Sequence, residues 1–234
     1  MTDTLASHLD ADVLDNAAWN ALEGRHARFA EGDDLVRRYQ IDVAPFVAVR
    51  TWEDPRIWDS LTALVGSGGQ ISLSGEVPAL PVEWEELWRG GGVQLVETDR
   101  LTPAPDAEAV LLGEADVPEM LALISRNRPG PFLPRTYELG RYVGIRRDGR
   151  LVAMAGERLK PDGWTEISAV ATDDAHRRQG LASRLVLDVA FHIQQRGDRA
   201  FMHAAATNVG AIGTYERLGF ALRTHTTFVG VRLP

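Results

Sequence analysis

The chain contains the segment Val170-Ala-Thr-Asp-Asp-Ala-His-Arg-Arg-Gln-Gly-Leu-Ala-Ser183, in which a strand-like run leads into a short turn and then a helix. Gly180 lets the backbone approach a ligand closely, and Ala182 adds no bulk. The unpaired amides that open the helix point outward together, beside the positive charges of Arg177 and Arg178. This Arg-x-x-Gly-x-Ala pattern predicts a turn that binds a pyrophosphate.

The flanks of this turn support that interpretation. The preceding run, Trp164–Thr172, is rich in β-branched and small residues and lies between Pro161-Asp-Gly163 and Asp173-Asp174, which predicts a buried strand. The following residues carry an apolar stripe at helical spacing, made of Leu181, Leu185, Val189 and Ile193.

Length and composition indicate a globular protein. A chain of 234 residues with 44% hydrophobic content can bury a substantial core, as one large domain or two modest ones. Residues 1–15 contain four acidic residues and no lysine or arginine, unlike a secretory signal. No apolar run approaches the roughly 20 residues that span a bilayer. We therefore expect a cytoplasmic protein without a membrane partner.

Several kinds of site are disfavoured. With no cysteine, the chain has no disulfide, thiolate metal site or cysteine nucleophile. The net charge of −8 argues against nucleic-acid binding, which requires a basic surface. The histidines show neither metal-ligand spacing nor a pattern of carboxylate partners, so we expect no metal; they are His8, His26, His176, His192, His203 and His225.

A polar, proline-containing stretch at Thr98–Asp106 interrupts all periodicity and predicts a linker between residues 1–100 and 107–234. Residues 1–100 contain 8 basic and 18 acidic residues, and residues 101–234 contain 17 basic and 15 acidic residues. Before the linker, the patterns predict a helical region at Ala11–Ala30 and then strands alternating with helices: Pro45–Arg50, Trp58–Val65, Gln70–Ser74, Val82–Trp88 and Val93–Val96. Such alternation indicates an α/β layer.

Tryptophan is concentrated in the first region, which holds five of the six. On the predicted helix Val82–Trp88, Trp84 and Trp88 share a face at i, i+4. Aromatic residues at helical spacing mostly pack in cores, so we expect these side chains to pack rather than to line a substrate site.

The second region predicts a fuller set of elements. Asp148-Gly149 separates two strand-like runs and is a strong hairpin signal. Gly219 stands where a helix C-cap glycine is expected. The predicted strands are Ala109–Leu112, Tyr142–Arg147, Leu151–Leu159, Trp164–Thr172, Ala200–Ala205 and one or two strands in Phe220–Val231, and the predicted helices are Val117–Arg126, the one after Gly180, and Val209–Leu218.

The order of these signals resembles the GNAT N-acetyltransferase superfamily over about residues 107–234. A hairpin is followed by strand, Arg-x-x-Gly-x-Ala turn and helix, and then by a strand and a helix that ends Tyr215-x-x-Leu-Gly-Phe220. The resemblance implies a central mixed β-sheet flanked by helices, an α/β fold. The 1–100 region carries no second such turn and could be a degenerate GNAT-like unit that shares a continuous sheet with the second region.

The resemblance also implies the activity, which is direct transfer of the acetyl group of acetyl-CoA to a primary amine. Backbone groups of the strand would bind the pantetheine arm, amides of the turn would bind the pyrophosphate, and Asn208 would lie near the thioester. Tyr215 would protonate the departing thiolate. The implied cofactor residues are Ala169, Val170, Ala171, Thr172, Arg177, Arg178, Gln179, Gly180, Leu181, Ala182, Ser183, Asn208 and Tyr215.

The amine must lose a proton, and a strand carboxylate is the candidate acceptor. Glu166 lies early in the strand and, by alternation, shares a face with Ser168 unless a bulge intervenes. Glu157 is the alternative, and either could act through water. A bulge within 166–171 would aim an amide at the developing oxyanion and, as in GNAT proteins, splay two strands apart.

Other interpretations stay open at this stage. Arg135, Tyr137 and Glu138 fall where GNAT proteins often build acceptor-side loops, although the surrounding prolines also suit simple turns. A non-catalytic acyl-CoA sensor would share the same binding residues. A nucleotide-binding protein would prefer ATP, but the chain lacks Gly-x-x-x-x-Gly-Lys. The sequence leaves the acceptor and the oligomeric state undetermined.

Overall fold

The computed structural model describes residues 12–127 and 129–234. The helices longer than one turn in these ranges are α1 (Ala17–Glu23), α2 (Ile57–Val65), α3 (Val117–Asn127), α4 (Leu181–Gln195) and α5 (Val209–Leu218). The strands are β1 (Ala30–Gly32), β2 (Val36–Tyr39), β3 (Val47–Val49), β4 (Gln70–Ser74), β5 (Glu85–Glu97), β6 (Val110–Leu112), β7 (Tyr142–Arg147), β8 (Arg150–Glu157), β9 (Trp164–Thr172), β10 (Arg199–Ala205) and β11 (Phe220–Arg232).

Among the described residues, eight strands form one sheet in the order β4-β11-β5-β10-β9-β8-β7-β6, and β1–β3 form a second, antiparallel sheet. Neighbours in the large sheet are antiparallel except β9 and β10, which are parallel. The predicted mixed sheet flanked by helices is therefore confirmed. Strands β4 and β5 precede the predicted linker and lie in the same sheet as the strands that follow it.

The helices cover both faces of the sheet. Ala153 and Ala155 of β8 pack in the cluster that holds α4, whereas the intervening Met154 packs in the cluster that holds α3. Because successive strand residues point to opposite faces, α3 and α4 lie on opposite sides of the sheet. The predicted apolar stripe of α4 is buried, with exposed fractions of 0–2% at Leu181, Leu185, Val189 and Ile193.

The elements around the predicted pyrophosphate turn are confirmed. Strand Trp164–Thr172 and helix Val209–Leu218 have the predicted bounds. Asp148 and Gly149 both adopt positive φ angles, 50° and 77°, as a tight hairpin requires. Gly219 ends α5 with φ 111°, and a Cβ there would collide with the backbone of Leu101. Only glycine satisfies both conditions.

The predicted helix Val82–Trp88 is wrong, because β5 begins at Glu85 and continues to Glu97. Trp88 pairs with Gly230 of β11, where a Cβ would collide with the indole. Hydrogen bonds to a 13-residue partner strand override the local helical spacing. Trp84 is buried against Trp58, with ring centroids 5.3 Å apart, so its packing is confirmed, whereas Trp88 is half exposed.

The remaining differences concern lengths. Ala11 lies outside the described residues. Within 12–29 the chain forms α1 between two single 3₁₀ turns, and Ala30 already begins β1. The strand predicted at Pro45–Arg50 shortens to Val47–Val49. The region Phe220–Val231 forms one strand with bulges rather than two strands.

Candidate active site

The segment between β9 and α4 forms an exposed turn with two residues in left-handed backbone conformation, Arg178 at φ 62° and Gly180 at φ 74°. A Cβ at Gly180 would meet nothing within 4 Å, so the space in front of the turn is open. The Arg184 N–H donates to the Gly180 carbonyl at 3.0 Å, which makes the preceding amides of 181–183 the unpaired first turn of α4. These amides and the positive end of the helix dipole suit an anion.

The two arginines of this turn differ in their partners. Arg177 bonds to Asp174 at 2.6 Å and to the Asn127 side chain at 3.0 Å, so its charge is partly neutralised. Arg178 is exposed and makes no side-chain hydrogen bond or ion pair within the described ranges. Arg178 is therefore the cation that is free to meet an incoming anion.

Strands β9 and β10 separate soon after they meet. Their register pairs Arg199–Phe201 with Trp164–Glu166, although β9 continues to Thr172 and β10 to Ala205. Beyond Glu166 the facing edges of the two strands carry N–H and C=O groups that do not pair across the gap. An extended ligand with amide groups could bind between these edges, as an added strand does.

A bulge in β9 accompanies the separation. Met154 pairs with Ala171 and Gly156 with Ser168, so β9 has one residue more than β8 over this interval. Ala169 takes up the extra length with φ 53°. The bulge predicted within 166–171 is confirmed, and it re-aims the local amides.

Tyr215 packs beside the opening from the α4 and α5 side of the sheet. It is 8% exposed and belongs to a cluster that includes Val170 of β9 and Ala204 of β10, one from each separating strand. Burial raises the pKa of Tyr215 to about 12, so the phenol is protonated at neutral pH. Asn208 is exposed and caps α5, where its side chain accepts a hydrogen bond from the Ala211 N–H at 3.2 Å.

Glu166 is fully buried where the paired part of β9 ends. It accepts hydrogen bonds from Arg158 at 2.8 Å (Nε) and 2.6 Å (Nη2), and His203 Nδ1 lies 2.8 Å from its Oε1. Burial alone would raise the pKa of Glu166, but Arg158 and His203 together lower it well below its ordinary value. Glu166 is therefore a stably ionised carboxylate.

The Glu166–His203 pair extends into a longer polar network. His203 Nε2 lies 3.1 Å from the side-chain nitrogen of Gln94, which also donates to the Leu14 carbonyl. Arg223 donates to Gln94 Oε1 at 2.9 Å and pairs with Asp15 at 2.6 Å. The sequence offers no signal for this network, because its members come from five separate segments that only the tertiary fold brings together.

Glu157, the alternative base, has a different setting. It lies on β8, which β9 separates from the opening. It pairs with Lys160 at 2.7 Å and with Arg196 at 2.6 Å, and these cations lower its pKa although burial opposes them. These residues line a basic pocket of about 560 Å³.

The acceptor-side candidates Arg135, Tyr137 and Glu138 lie in a single helical turn. Arg135 pairs with Glu138 at 2.7 Å and with Asp42 at 3.2 Å, so it ties this loop to the N-terminal region. Among the described residues, no group of three or more histidine, aspartate or glutamate side chains could hold a metal ion. No helix in the described parts is long and apolar enough to cross a bilayer.

Comparisons with known proteins agree with this architecture. Residues 142–229 match the family model of FR47-like proteins. A GNAT-family protein from Novosphingobium aromaticivorans, assigned as an acetyltransferase, is 33% identical, with 94% of this chain and 98% of that chain covered and a TM-score of 0.86. A search of curated proteins found no match.

More distant structures share the fold. A GCN5-related N-acetyltransferase from Kribbella flavida has 21% identity and a TM-score of 0.60, with 94% of this chain and 95% of that chain covered. A GNAT-family acetyltransferase from Colwellia psychrerythraea has 14% identity and a TM-score of 0.52, with 76% and 70% covered.

Proposed function

Because the chain belongs to the GNAT family of acetyltransferases, we propose that it transfers the acetyl group of acetyl-CoA directly to a primary amine. The observation that carries this proposal is the opening between β9 and β10. The anion-suited turn follows directly from β9, and Glu166 and Tyr215 flank the opening from opposite sides of the sheet.

The proposed cofactor contacts follow the course of β9. The open turn at 177–183 would bind the pyrophosphate through its amides and Arg178. The free strand edge at 169–172 would bind the amide groups of the pantetheine arm. Asn208, at the start of α5, would lie near the thioester.

In the proposed reaction, the neutral amine attacks the thioester carbonyl carbon, and a backbone amide at the bulge stabilises the oxyanion that forms. Collapse breaks the C–S bond, Tyr215 donates its proton to the departing sulfur, and the tyrosinate takes a proton back from solvent before the next turnover. The amine proton goes to Glu166, directly or through water. Because Arg158 weakens the basicity of Glu166, we expect that proton to pass on to solvent rather than remain on the carboxylate.

The same low basicity of Glu166 favours one alternative, an acyl-CoA sensor that binds the cofactor without catalysis. Two measurements separate the acetyltransferase, the sensor and a nucleotide-binding protein. The first is calorimetry with coenzyme A and with ATP, and the second is thiol release from acetyl-CoA with a panel of amines. Tight coenzyme A binding with amine-dependent thiol release supports the enzyme. Binding without turnover supports the sensor, and preference for ATP would overturn both.

A further inference from the structure

A second polar cluster lies beside Glu166, on the α3 side of the sheet. Tyr142 of β7 pairs with Gly156 of β8, and Gly156 pairs with Ser168 of β9, so the three residues form one row across three strands. The ring of Tyr142 lies over Gly156, because a Cβ at that position would collide with it. The missing side chain lets the phenol reach along the row towards β9.

The Tyr142 hydroxyl has no hydrogen-bond partner in the described structure, although the residue is only 1% exposed. Burial raises the pKa of Tyr142, so this hydroxyl is a protonated donor. Buried hydroxyl groups nearly always have a partner, and an unsatisfied one requires a reason. A bound ligand is one such reason, since it would accept this hydrogen bond.

Arg158 supplies further donors in the same place. Its Nε and Nη2 bind Glu166, but Nη1 makes no hydrogen bond within the described residues. Its Cζ lies over the Phe46 ring, 4.8 Å from the ring centroid, and this cation–π contact helps to hold the guanidinium in place. A Cβ at Gly130 would lie 3.8 Å from Nη1, so the 129–134 loop passes close to this free edge without a side chain there.

These groups are all donors. Nη1 of Arg158 offers two N–H groups and Tyr142 one O–H. The free edge of Arg158 is also the positive end of the buried ion pair with Glu166. A carboxylate matches both the charge and the donors, because its two oxygens accept hydrogen bonds and guanidinium–carboxylate contacts are charge-assisted.

We propose that the amine acceptor carries a carboxylate, as an amino acid does, and that Arg158 Nη1 and Tyr142 Oη bind it. This inference rests on the proposed acetyl transfer and names its substrate class. With the carboxylate held by Arg158 Nη1 and Tyr142 Oη, the amino group of a small amino acid would lie towards Glu166 and the opening between β9 and β10.

The test compares acceptors that differ only in the carboxylate, glycine and glycinamide, with the wild type and Tyr142→Phe. The variant keeps the ring over Gly156 and removes only a hydroxyl that lacks a partner. We expect it to raise KM for glycine by roughly tenfold, the size of a lost hydrogen bond to a charged group. We expect KM for glycinamide and both kcat values to change by less than about twofold.

Comparing variant with wild type for each acceptor cancels the different basicities of the two amines. Glycinamide is the matched control, because it lacks only the carboxylate that Tyr142 and Arg158 would bind. Arg158→Lys provides a second variant, with an expected loss for glycine at least as large as that of Tyr142→Phe. An equal effect of Tyr142→Phe on both acceptors would overturn the inference.

Failure of the proposed function is distinguishable from failure of this inference. If neither amine supports thiol release, calorimetry of glycine and glycinamide with the coenzyme A-loaded protein still tests the site. Selective binding of glycine that Tyr142→Phe weakens would support the carboxylate site without catalysis. Turnover or binding with no preference for the carboxylate would leave the acetyltransferase intact and refute the inference.

Discussion

The guanidinium of Arg158 donates to both carboxylate oxygens of Glu166, at 2.6 and 2.8 Å, and the two side chains are 11% and 0% exposed. A buried ion pair can lower the stability of the fold or leave it unchanged, but removing either partner leaves the other as an uncompensated buried charge, which is strongly destabilising. This relationship links the proposed chemistry at Glu166 to the stability of the fold.

We expect Glu166→Gln to lower the free energy of unfolding by about 3–5 kcal/mol, because it leaves Arg158 buried without its counter-charge. Urea denaturation measures the loss, and activity has to be assayed where the variant is still folded. The double change Glu166→Gln with Arg158→Met removes both charges, and we expect it to be more stable than Glu166→Gln alone. A double variant whose loss equals the sum of the single losses would contradict this coupling.

We expect Tyr215→Phe to reduce kcat by about 10²-fold or more, the usual contribution of a positioned general acid. Coenzyme A affinity and the unfolding midpoint should hardly change, because no described residue bonds to the hydroxyl. Since the pKa of Tyr215 is raised to about 12, the wild-type pH–rate profile should show no basic limb from this residue below about pH 11. An unchanged kcat would remove Tyr215 from the mechanism.

We expect Gly180→Leu to weaken coenzyme A binding at least tenfold, about 1.4 kcal/mol, because the side chain fills the open space in front of the turn. Gly163→Leu is the control: Gly163 has φ 73°, nearly the same as Gly180, and also has open space around its Cβ position, but it lies at the other end of β9. Both variants should lose similar stability through backbone strain. Equal coenzyme A affinity in the two variants would exclude the turn as the pyrophosphate site.

The free energy of unfolding should change with pH because of His26. This side chain is 3% exposed, and its Nδ1 lies 2.9 Å from the Tyr39 hydroxyl. Burial, assisted by the charge of Lys160, lowers its pKa from 6.5 to about 4. Between those values the unfolded chain binds a proton that the folded protein does not, so stability is full above pH 6.5 and falls as pH drops towards 4.

The size of this loss is about 3 kcal/mol at pH 4. Urea denaturation of the wild type and His26→Gln at pH 7 and pH 5 measures this loss. Glu157 and Glu166 do not interfere, because their pKa values are lowered and they affect stability only below about pH 4.5. We expect a flatter profile for the variant. Parallel profiles would show that His26 does not titrate as its burial implies.

Local sequence patterns are enough to predict the helices and strands around the pyrophosphate turn. A glycine is required at 180 and 219 because the backbone there is left-handed, and Asp148-Gly149 suits a two-residue hairpin for the same reason. The stripe on α4 and the small residues of β9 follow from helix and strand periodicity. These features depend on neighbours within about ten residues, which is why the family resemblance is readable before any fold is known.

The long strand β5 marks the limit of such patterns. The spacing of Trp84 and Trp88 is helical, but β11 pairs with β5 along its whole length from Glu85 to Glu97 and holds it extended. The histidines also have partners that local patterns do not predict, since His203 of β10 contacts Glu166 of the neighbouring strand β9, 37 residues earlier in the sequence. No local pattern encodes a partner that distant.

The amino-acid sequence by itself determined the elements of the second region, the anion-suited turn and the family, because these depend on backbone conformations and short-range periodicity. Only the tertiary structure decided which buried groups face one another: that Glu166 is neutralised by Arg158, and that Arg158 and Tyr142 keep unused donors beside it. Those relationships depend on strand register, in which a shift of one residue would send each side chain to the opposite face of the sheet.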